Sequence, residues 1–268
     1  MYNFEYQQPK SVADAAKAIA SKPEAKLMAG GMTLIPTLKQ RLAKPSDIVD
    51  LGKIPDLKGI KKEGNAIVIG AMTRHADVAN SSEVKSAIPA LADLAGHIGD
   101  PAVRHRGTCG GSIANNDPAA DYPAAVLALN ATITTNKRKI AADDFFKGLF
   151  ETALGPDEII TSVSFPIPEK AAYMKFPNPA SRYAIVGAFA AKTGNTVRVG
   201  VTGAAPCAFR QKDMEAALSK SFAADAIKDI KQKQDGLNSD IHASAEYRAH
   251  LVGVMARRAV MKANGQPV

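Results

Sequence analysis

The chain has 268 residues, of which 46% are apolar and 22% charged, a composition that excludes an intrinsically disordered protein. No apolar run approaches the roughly 20 residues needed to cross a bilayer, and the first residues lack the basic and apolar regions of a secretory signal. Cys109 and Cys207 are too few for a disulfide framework or a cysteine-ligated cluster. The sequence therefore predicts a cytoplasmic protein, and it leaves peripheral attachment to the inner face of the membrane open.

The formal net charge of +8 raises nucleic-acid binding as one interpretation. The lysines and arginines are scattered, however, Trp is absent, and aromatic residues make up only 6% of the chain. Stacking platforms for single-stranded nucleic acid are therefore poorly supplied. A basic chain can equally neutralise an acidic partner or an anionic cofactor. We expect no nucleic-acid partner and keep a basic polyanion-binding protein as an alternative.

Residues 1–55 predict a small unit of strands and helices. An alanine-rich helix over 11–20 begins in the manner of a capping box. A strand at 25–29 leads into a pair of glycines, after which Thr33 is expected to cap a second helix. A further strand follows at 47–51.

Residues 56–170 predict a second unit, which opens with a β-hairpin that turns at Gly64-Asn65. A long polar, glycine-rich segment from Gly96 to Asp121 precedes a helix at 122–129. The alternating pattern at 159–167 indicates the last strand of this unit.

Residues 171–268 have a different pattern. Strands at 184–191 and 196–202 form an expected antiparallel pair, and the pattern after Arg210 is helical as far as Ala263. The three parts together predict an α+β fold.

Two glycine segments carry the strongest functional signal. The first, at 29–33, lies between a strand and a helix, where adjacent glycines allow positive φ and expose successive backbone N–H groups to an anion. The second, at 107–115, has similar chemistry, with Arg104, His105 and Arg106 just before it. Neither matches a P-loop or a Rossmann fingerprint. A tight turn would explain either segment alone, but the two together predict that one pyrophosphate is held from two sides.

The two segments also carry a resemblance. Residues 29–39 (AGGMTLIPTLK) and 106–121 (RGTCGGSIANNDPAAD) resemble the FAD-binding subunit of the molybdenum hydroxylase family of xanthine dehydrogenase and carbon monoxide dehydrogenase. The resemblance extends over essentially the whole chain, including 70–75 and 175–187. It implies an α+β fold whose first two units clamp FAD, as in the two-subdomain vanillyl-alcohol-oxidase or PCMH type, followed by a C-terminal antiparallel sheet with helices.

The resemblance also implies a set of cofactor-binding residues. Asp121 would accept hydrogen bonds from the ribityl chain, the alternative being a carboxylate that stabilises a helix N-terminus. Lys175 and Tyr183 would approach the flavin ring. The full set is Lys26, Leu27, Ala29, Gly30, Gly31, Met32, Thr33, Leu34, Thr73, Thr108, Gly110, Gly111, Ser112, Ala114, Asp121, Ile160, Lys175 and Tyr183. Replacing Gly111 by Val is expected to exclude FAD and to leave the fold largely intact.

Some residues depart from the family pattern or carry no assigned chemistry. Cys109 replaces an aliphatic residue and is interpreted as a packing residue. Arg182 replaces a common acidic residue, which leaves the oxidant preference open. His105 is interpreted as a surface or loop histidine, and the histidine spacing predicts no metal site. The Asp157-Glu158 pair is interpreted as part of a solvated turn.

The resemblance finally implies a complex of three kinds of chain, expected as a dimer of heterotrimers. A large subunit would hold a molybdenum cofactor, and a small subunit would hold [2Fe–2S] clusters. This chain would accept electrons from those clusters and pass them to NAD+, a quinone or oxygen. Two alternatives remain, a stand-alone flavin oxidoreductase acting on a small substrate and the basic polyanion-binding protein.

Overall fold

The computed structural model describes all 268 residues, which form fourteen β-strands and eleven α-helices. The strands are β1 (Glu5–Gln7), β2 (Lys26–Met28), β3 (Asp47–Asp50), β4 (Ile60–Glu63), β5 (Ala66–Gly70), β6 (Thr132–Thr135), β7 (Lys139–Ala141), β8 (Phe146–Gly148), β9 (Glu151–Thr152), β10 (Ile160–Pro166), β11 (Lys170–Pro177), β12 (Ala184–Thr193), β13 (Thr196–Thr202) and β14 (Phe209–Arg210). The helices are α1 (Val12–Ala20), α2 (Leu34–Lys39), α3 (His75–Asn80), α4 (Ser82–Ala87), α5 (Pro89–Gly96), α6 (Pro101–Arg106), α7 (Cys109–Asn115), α8 (Tyr122–Ala128), α9 (Ala142–Phe145), α10 (Lys212–Lys220) and α11 (Ala245–Ala263). The α+β prediction is confirmed.

The first unit contains a parallel sheet in which β3 lies between β1 and β2. The helix cap predicted at Ser11 is present, because the Ser11 hydroxyl oxygen accepts from the Asp14 backbone N–H at 3.1 Å and starts α1. The Asp14 carboxylate accepts from the Ser11 hydroxyl, so the reciprocal bond of a full capping box is replaced. The small core of this unit includes Val49 together with Met72 and Ile159 of the next unit. The first unit is therefore packed directly against the second.

The second unit is built on an antiparallel sheet of order β4-β5-β10-β6-β7, with α3 to α8 packed around it. The predicted hairpin between β4 and β5 is confirmed, and Gly64 takes the positive φ of +57° that its turn needs.

The polar, glycine-rich segment from Gly96 to Asp121, for which no helix was predicted, contains α6 and α7. Asp100 caps α6 by accepting from the Val103 N–H at 2.8 Å, and Thr108 caps α7 by accepting from the Gly111 N–H at 3.1 Å. Glycine is a poor helix former. Tertiary packing overrides that propensity here, since Gly110 lies so close to Ala71 that a Cβ atom would come within 2.5 Å of it.

The third unit is an antiparallel sheet of order β11-β12-β13-β14, covered by α10 and α11. The predicted pair of strands is confirmed. The expectation of a continuous helical region to Ala263 is wrong for residues 221–244, which contain only a short 3-10 turn at Ala224–Ile227. That stretch is polar and largely exposed, and Gly236 adopts a φ of +78°, which an α-helix does not allow.

Helix α8 joins the second unit to the third. A Cβ atom on Gly200 of β13 would lie 2.1 Å from the Ala124 carbonyl oxygen, so the helix packs on the bare backbone of the strand. This contact fixes the position of Asp121 at the start of α8. The division at 55/56 and 170/171 stays a prediction. None of the helices combines the length and the apolar character that spanning a membrane would require.

Candidate cofactor-binding site

A cavity of about 530 Å³ lies where the three units meet. Its walls come mainly from residues 27–34, 98–121, 154–160 and 180–183. This volume is in the range of cavities that enclose cofactor-sized ligands. The two glycine segments therefore lie on the wall of one cavity.

The first glycine segment presents a row of free donors to this cavity. From Gly30 to Leu34, no backbone N–H donates to an acceptor within the protein, whereas the next N–H, that of Ile35, bonds the Gly31 carbonyl at 3.0 Å. Gly31 has a φ of +76°, which turns the chain at this point. Thr33 occupies the N-cap position of α2 but makes no side-chain cap, so the expected capping is wrong. The segment forms a concave set of N–H groups suited to an anion.

The second glycine segment differs, because its N–H groups are already bonded. Those of Cys109 and Gly110 donate to the carbonyls of Thr73 and Ala71 at 3.0 and 2.9 Å. Those of Gly111 and Ser112 both donate to Thr108, to its hydroxyl and its carbonyl respectively. These four N–H groups are therefore committed to the fold, and α7 faces the cavity with its side chains, among them the hydroxyl of Ser112.

The two segments also touch each other. A Cβ atom on Gly30 would lie 2.1 Å from the Arg106 carbonyl oxygen, and one on Gly111 would lie 3.1 Å from the Ala29 Cβ and 2.8 Å from the Thr108 hydroxyl. These glycines are needed because the chains approach too closely for a side chain. A valine at Gly111 would therefore press on Thr108 and Ala29 as well as on any ligand, so loss of FAD in that variant would not by itself assign the segment to the ligand.

Asp121 lines the cavity at the start of α8, and its side chain is buried. Its carboxylate accepts from the Tyr173 hydroxyl at 2.5 Å and from the Lys175 ammonium, whose Nζ lies 3.0 Å from Oδ1. Burial raises the pKa of Asp121, and the charge of Lys175 acts in the opposite direction. Because a carboxylate has about four acceptor positions, Asp121 can still accept from a ligand on its cavity side.

All the predicted site residues line the cavity except Lys26, Thr73 and Lys175. Lys26 is exposed on β2. Thr73 is buried, and its hydroxyl exchanges hydrogen bonds with the backbone of Gly59 at 3.0 Å. Lys175 reaches Asp121 rather than the cavity, with only 6% of its side chain exposed, and it also donates to the His97 carbonyl at 3.0 Å.

Tyr183 lines the cavity with 49% of the residue exposed. Tyr183 ends a turn that begins at Asn178, whose N–H donates to the Tyr183 carbonyl at 2.8 Å. Arg182, within this turn, has a positive φ of 62°. Partial burial raises the pKa of Tyr183, with smaller contributions from Asp117 and Asp121.

His75 lines the cavity, although the sequence assigned it no role in the site. It is buried at the start of α3, it lies against the ring of Tyr122 with 5.4 Å between centroids, and its Nδ1 has no hydrogen-bond partner. Burial, with a smaller contribution from Arg104, lowers the pKa of His75 to about 4, so the ring is neutral at pH 7. The only available signal was its place at the end of the 70–75 motif.

The interpretation of Glu158 as part of a solvated turn is wrong, because its side chain is buried on the cavity wall. It pairs with Arg138 at 2.9 Å and accepts from the Thr135 hydroxyl at 2.7 Å. The hydrogen bond from Arg138 is the largest cause that lowers the pKa of Glu158 to about 2.

Cys109 is fully buried, and burial raises its pKa, as the packing interpretation requires. No cluster of three or more His, Cys, Asp or Glu side chains is arranged to hold a metal ion.

Comparison with known proteins places this geometry in a family. Residues 2–168 match the family model of the FAD binding domain in molybdopterin dehydrogenase, and residues 171–263 match that of the CO dehydrogenase flavoprotein C-terminal domain. The chain is 36% identical to the nicotine 6-hydroxylase medium subunit of Paenarthrobacter nicotinovorans, covering 97% of both chains. It is 35% identical to the carbon monoxide dehydrogenase medium chain of Hydrogenophaga pseudoflava, covering 96% of both.

Solved structures agree with the family models. A crystal structure of Cu,Mo-CO dehydrogenase in its cyanide-inactivated form matches with a TM-score of 0.89 at 33% identity over 100% of both chains. Quinoline 2-oxidoreductase from Pseudomonas putida 86 matches with a TM-score of 0.88 at 30% identity, covering 98% of this chain and 97% of that one. The chain therefore belongs to the family of FAD-binding medium subunits of molybdenum hydroxylases.

Proposed function

We propose that the cavity holds FAD and that the chain is the electron-transfer subunit of a molybdenum hydroxylase complex. The observation that carries the proposal is the row of unpaired N–H groups from Gly30 to Leu34 on the cavity wall. The first N–H groups of a helix have no acceptor within it, and a concave row of such groups is an anion site. A pyrophosphate satisfies several such donors at once.

The remaining walls suit the other parts of FAD. Asp121 offers acceptor positions to the hydroxyls of a ribityl chain, and Tyr183 offers an aromatic side chain to the flavin ring. The neutral imidazole of His75 adds a buried polar group with an unused nitrogen. The other predicted lining residues shape the cavity, while Lys26, Thr73 and Lys175 would act from outside its wall.

Bound FAD supplies the redox chemistry, because it can accept electrons singly and release them in pairs. The protein would position the flavin and set the charge around it. No residue of this chain needs to act on an organic substrate. The relatives with this fold are named as medium chains or medium subunits, which supports a division of labour among several chains.

We further propose partners of two kinds, a small subunit with [2Fe–2S] clusters and a large subunit with the molybdenum cofactor, arranged as a dimer of heterotrimers. The vanillyl-alcohol-oxidase or PCMH type is proposed for the first two units, which together form most of the cavity wall. Cytoplasmic residence and the choice among NAD+, quinone and oxygen as acceptor remain predictions from the sequence.

The test is an absorption spectrum of the protein purified from its source, followed by release of the cofactor and identification of co-purifying chains. A flavin spectrum, released FAD, and partners that carry iron–sulfur clusters and molybdenum would support the proposal. FAD without partner chains would favour the stand-alone flavin oxidoreductase. A colourless protein that takes up no added FAD would reject the cofactor assignment and leave the polyanion-binding alternative.

A further inference from the structure

Tyr173 is a buried residue of the third unit whose hydroxyl reaches a cavity residue of the second unit. It lies on β11 and is 1% exposed, and its hydroxyl donates to Asp121 Oδ1 at 2.5 Å. Tyr173 does not line the cavity, whereas Asp121 does. Tyr173 therefore does not touch a ligand in the cavity, and Asp121 is the cavity residue to which its hydroxyl donates.

The neighbouring strand is built to admit this phenol. Gly187 of β12 pairs with Lys175 in the sheet, and a Cβ atom on Gly187 would lie 2.3 Å from the Tyr173 hydroxyl oxygen. The Tyr173 ring stacks on Phe189 with 6.2 Å between centroids and 30° between planes. Packing thus holds the hydroxyl in one place, and only a glycine at 187 leaves room for it.

The same sheet also holds the backbone that leads into Asp121. The Thr202 hydroxyl donates to the Ala120 carbonyl at 2.6 Å, and the Gly203 N–H donates to the Pro118 carbonyl at 2.8 Å. Both the main chain and the carboxylate of this segment are therefore fixed from the C-terminal sheet.

Charge explains why two donors converge on one carboxylate. A buried carboxylate is costly unless it is paired and hydrogen-bonded. Lys175 supplies the opposite charge and is itself held by the His97 carbonyl. Tyr173 supplies a directional bond that fixes the rotation of the carboxylate and favours its ionised form.

We propose that Tyr173 is a positioning residue for FAD binding, which orients Asp121 so that its free acceptor positions face the cavity. The proposal rests on the proposed function. It also places a determinant of FAD affinity outside residues 2–168, the part that matches the FAD-binding family model.

The test is a double-mutant cycle of Tyr173→Phe and Asp121→Ala in the full-length chain, stripped of cofactor and titrated with FAD. Removing a hydrogen bond to a charged group should weaken FAD affinity by roughly tenfold or more in Tyr173→Phe. In the Asp121→Ala background the same change should matter by less than about twofold, because the acceptor through which Tyr173 acts is gone.

Tyr122→Phe is the matched control, because Tyr122 is equally buried but its hydroxyl has no partner, and FAD affinity should be unchanged. Gly187→Ala is the second variant. It displaces the Tyr173 hydroxyl while keeping the ring, and it should weaken FAD binding in the wild-type background more than in Tyr173→Phe. Thermal unfolding without FAD reports whether each variant is folded.

Additive losses in the cycle would mean that Tyr173 has only a packing role, and an unchanged affinity in Tyr173→Phe would also overturn the inference. In both cases wild-type protein that binds FAD would leave the proposed function standing. Wild-type protein that binds no FAD would reject both.

Discussion

Gly30 and Arg106 are in direct backbone contact, since a Cβ atom on Gly30 would lie 2.1 Å from the Arg106 carbonyl oxygen. The contact joins the first glycine segment to the end of α6, immediately before the second. It brings two motifs that are distant in the sequence to one cavity, and it explains why glycine is needed at a position whose φ is not positive.

The first prediction concerns this contact. Gly30→Ala should destabilise the protein by about 1 to 3 kcal/mol through overpacking, and it should weaken FAD binding because the N–H row is displaced. Gly253→Ala is the control, because Gly253 lies within α11 and no atom lies near the position of an added Cβ. There alanine should raise the free energy of unfolding by about 0.5 to 1 kcal/mol. Urea unfolding of both variants checks the pair. Equal stabilities would contradict the close packing.

The second prediction concerns Ala114, because a substitution at Gly111 would disturb Thr108 and Ala29 as well as a ligand. Ala114 lies on α7, is exposed and lines the cavity, so a longer side chain there has room until a ligand arrives. Ala114→Glu should weaken FAD binding roughly tenfold or more, because a carboxylate on the cavity wall would repel an anionic ligand. At an effective dielectric near 20, like charges within about 10 Å of each other repel by more than about 1.5 kcal/mol.

The control for Ala114→Glu is Ala13→Glu, which adds the same charge at an exposed helical alanine away from the cavity. It should leave FAD affinity unchanged. Full affinity in Ala114→Glu, measured by FAD titration, would place the ligand elsewhere.

The third prediction follows from the low pKa of His75, about 4 against an ordinary value of 6.5. The folded protein binds fewer protons at His75 than the unfolded chain does. The contribution of His75 to the free energy of unfolding is therefore fully present above about pH 6.5 and decreases as the pH falls toward 4. The loss should be roughly 3 kcal/mol between pH 7 and pH 4. His75→Phe should abolish that part of the decline, whereas His250→Phe, at an exposed position of α11, should not. The measurement is the free energy of unfolding of the wild type and both variants between pH 7 and pH 4.

The fourth prediction concerns a lower pH window. Bonds from Arg138, Gly155 and Thr135 lower the pKa of Glu158 from 4.5 to about 2. Because the folded pKa lies below the unfolded one, this stabilisation is present above about pH 4.5 and disappears as the pH falls through 2. The free energy of unfolding of Glu158→Gln should therefore lie furthest below that of the wild type at pH 7 and closest to it near pH 2. Glu24→Gln, at an exposed carboxylate, should show no such trend.

The fifth prediction concerns an ion-pair network between the second and third units. Asp143 binds Arg198, and it accepts from Arg210 at 2.8 Å; both arginines are largely buried. Asp143→Ala should cost about 1 to 2 kcal/mol, because it leaves two neighbouring guanidinium groups without this acceptor. Asp144→Ala, next along the chain and exposed, should be nearly neutral. Urea midpoints at low and high salt measure both, and a neutral Asp143→Ala would contradict the network.

The sequence determined the features that depend on near neighbours in the chain. The helix cap at Ser11 and the hairpin turn at Gly64 follow from local hydrogen bonds and from positive φ, which short segments specify by themselves. The two glycine motifs likewise sufficed to identify the family, because their residues and order are specific. The sequence did not predict the α7 helix, because its glycines oppose helix formation. That preference is offset by tertiary packing against Ala71, which the sequence does not show.

Tertiary structure alone decided how those motifs are used. Which glycine segment has free N–H groups depends on acceptors elsewhere in the chain, such as the Ala71 and Thr73 carbonyls that engage α7. The bond between Tyr173 and Asp121 spans 52 positions in the sequence and requires the close packing of two units. No local pattern contains such information, because the free energy of a buried donor or acceptor is set by the groups that folding brings beside it.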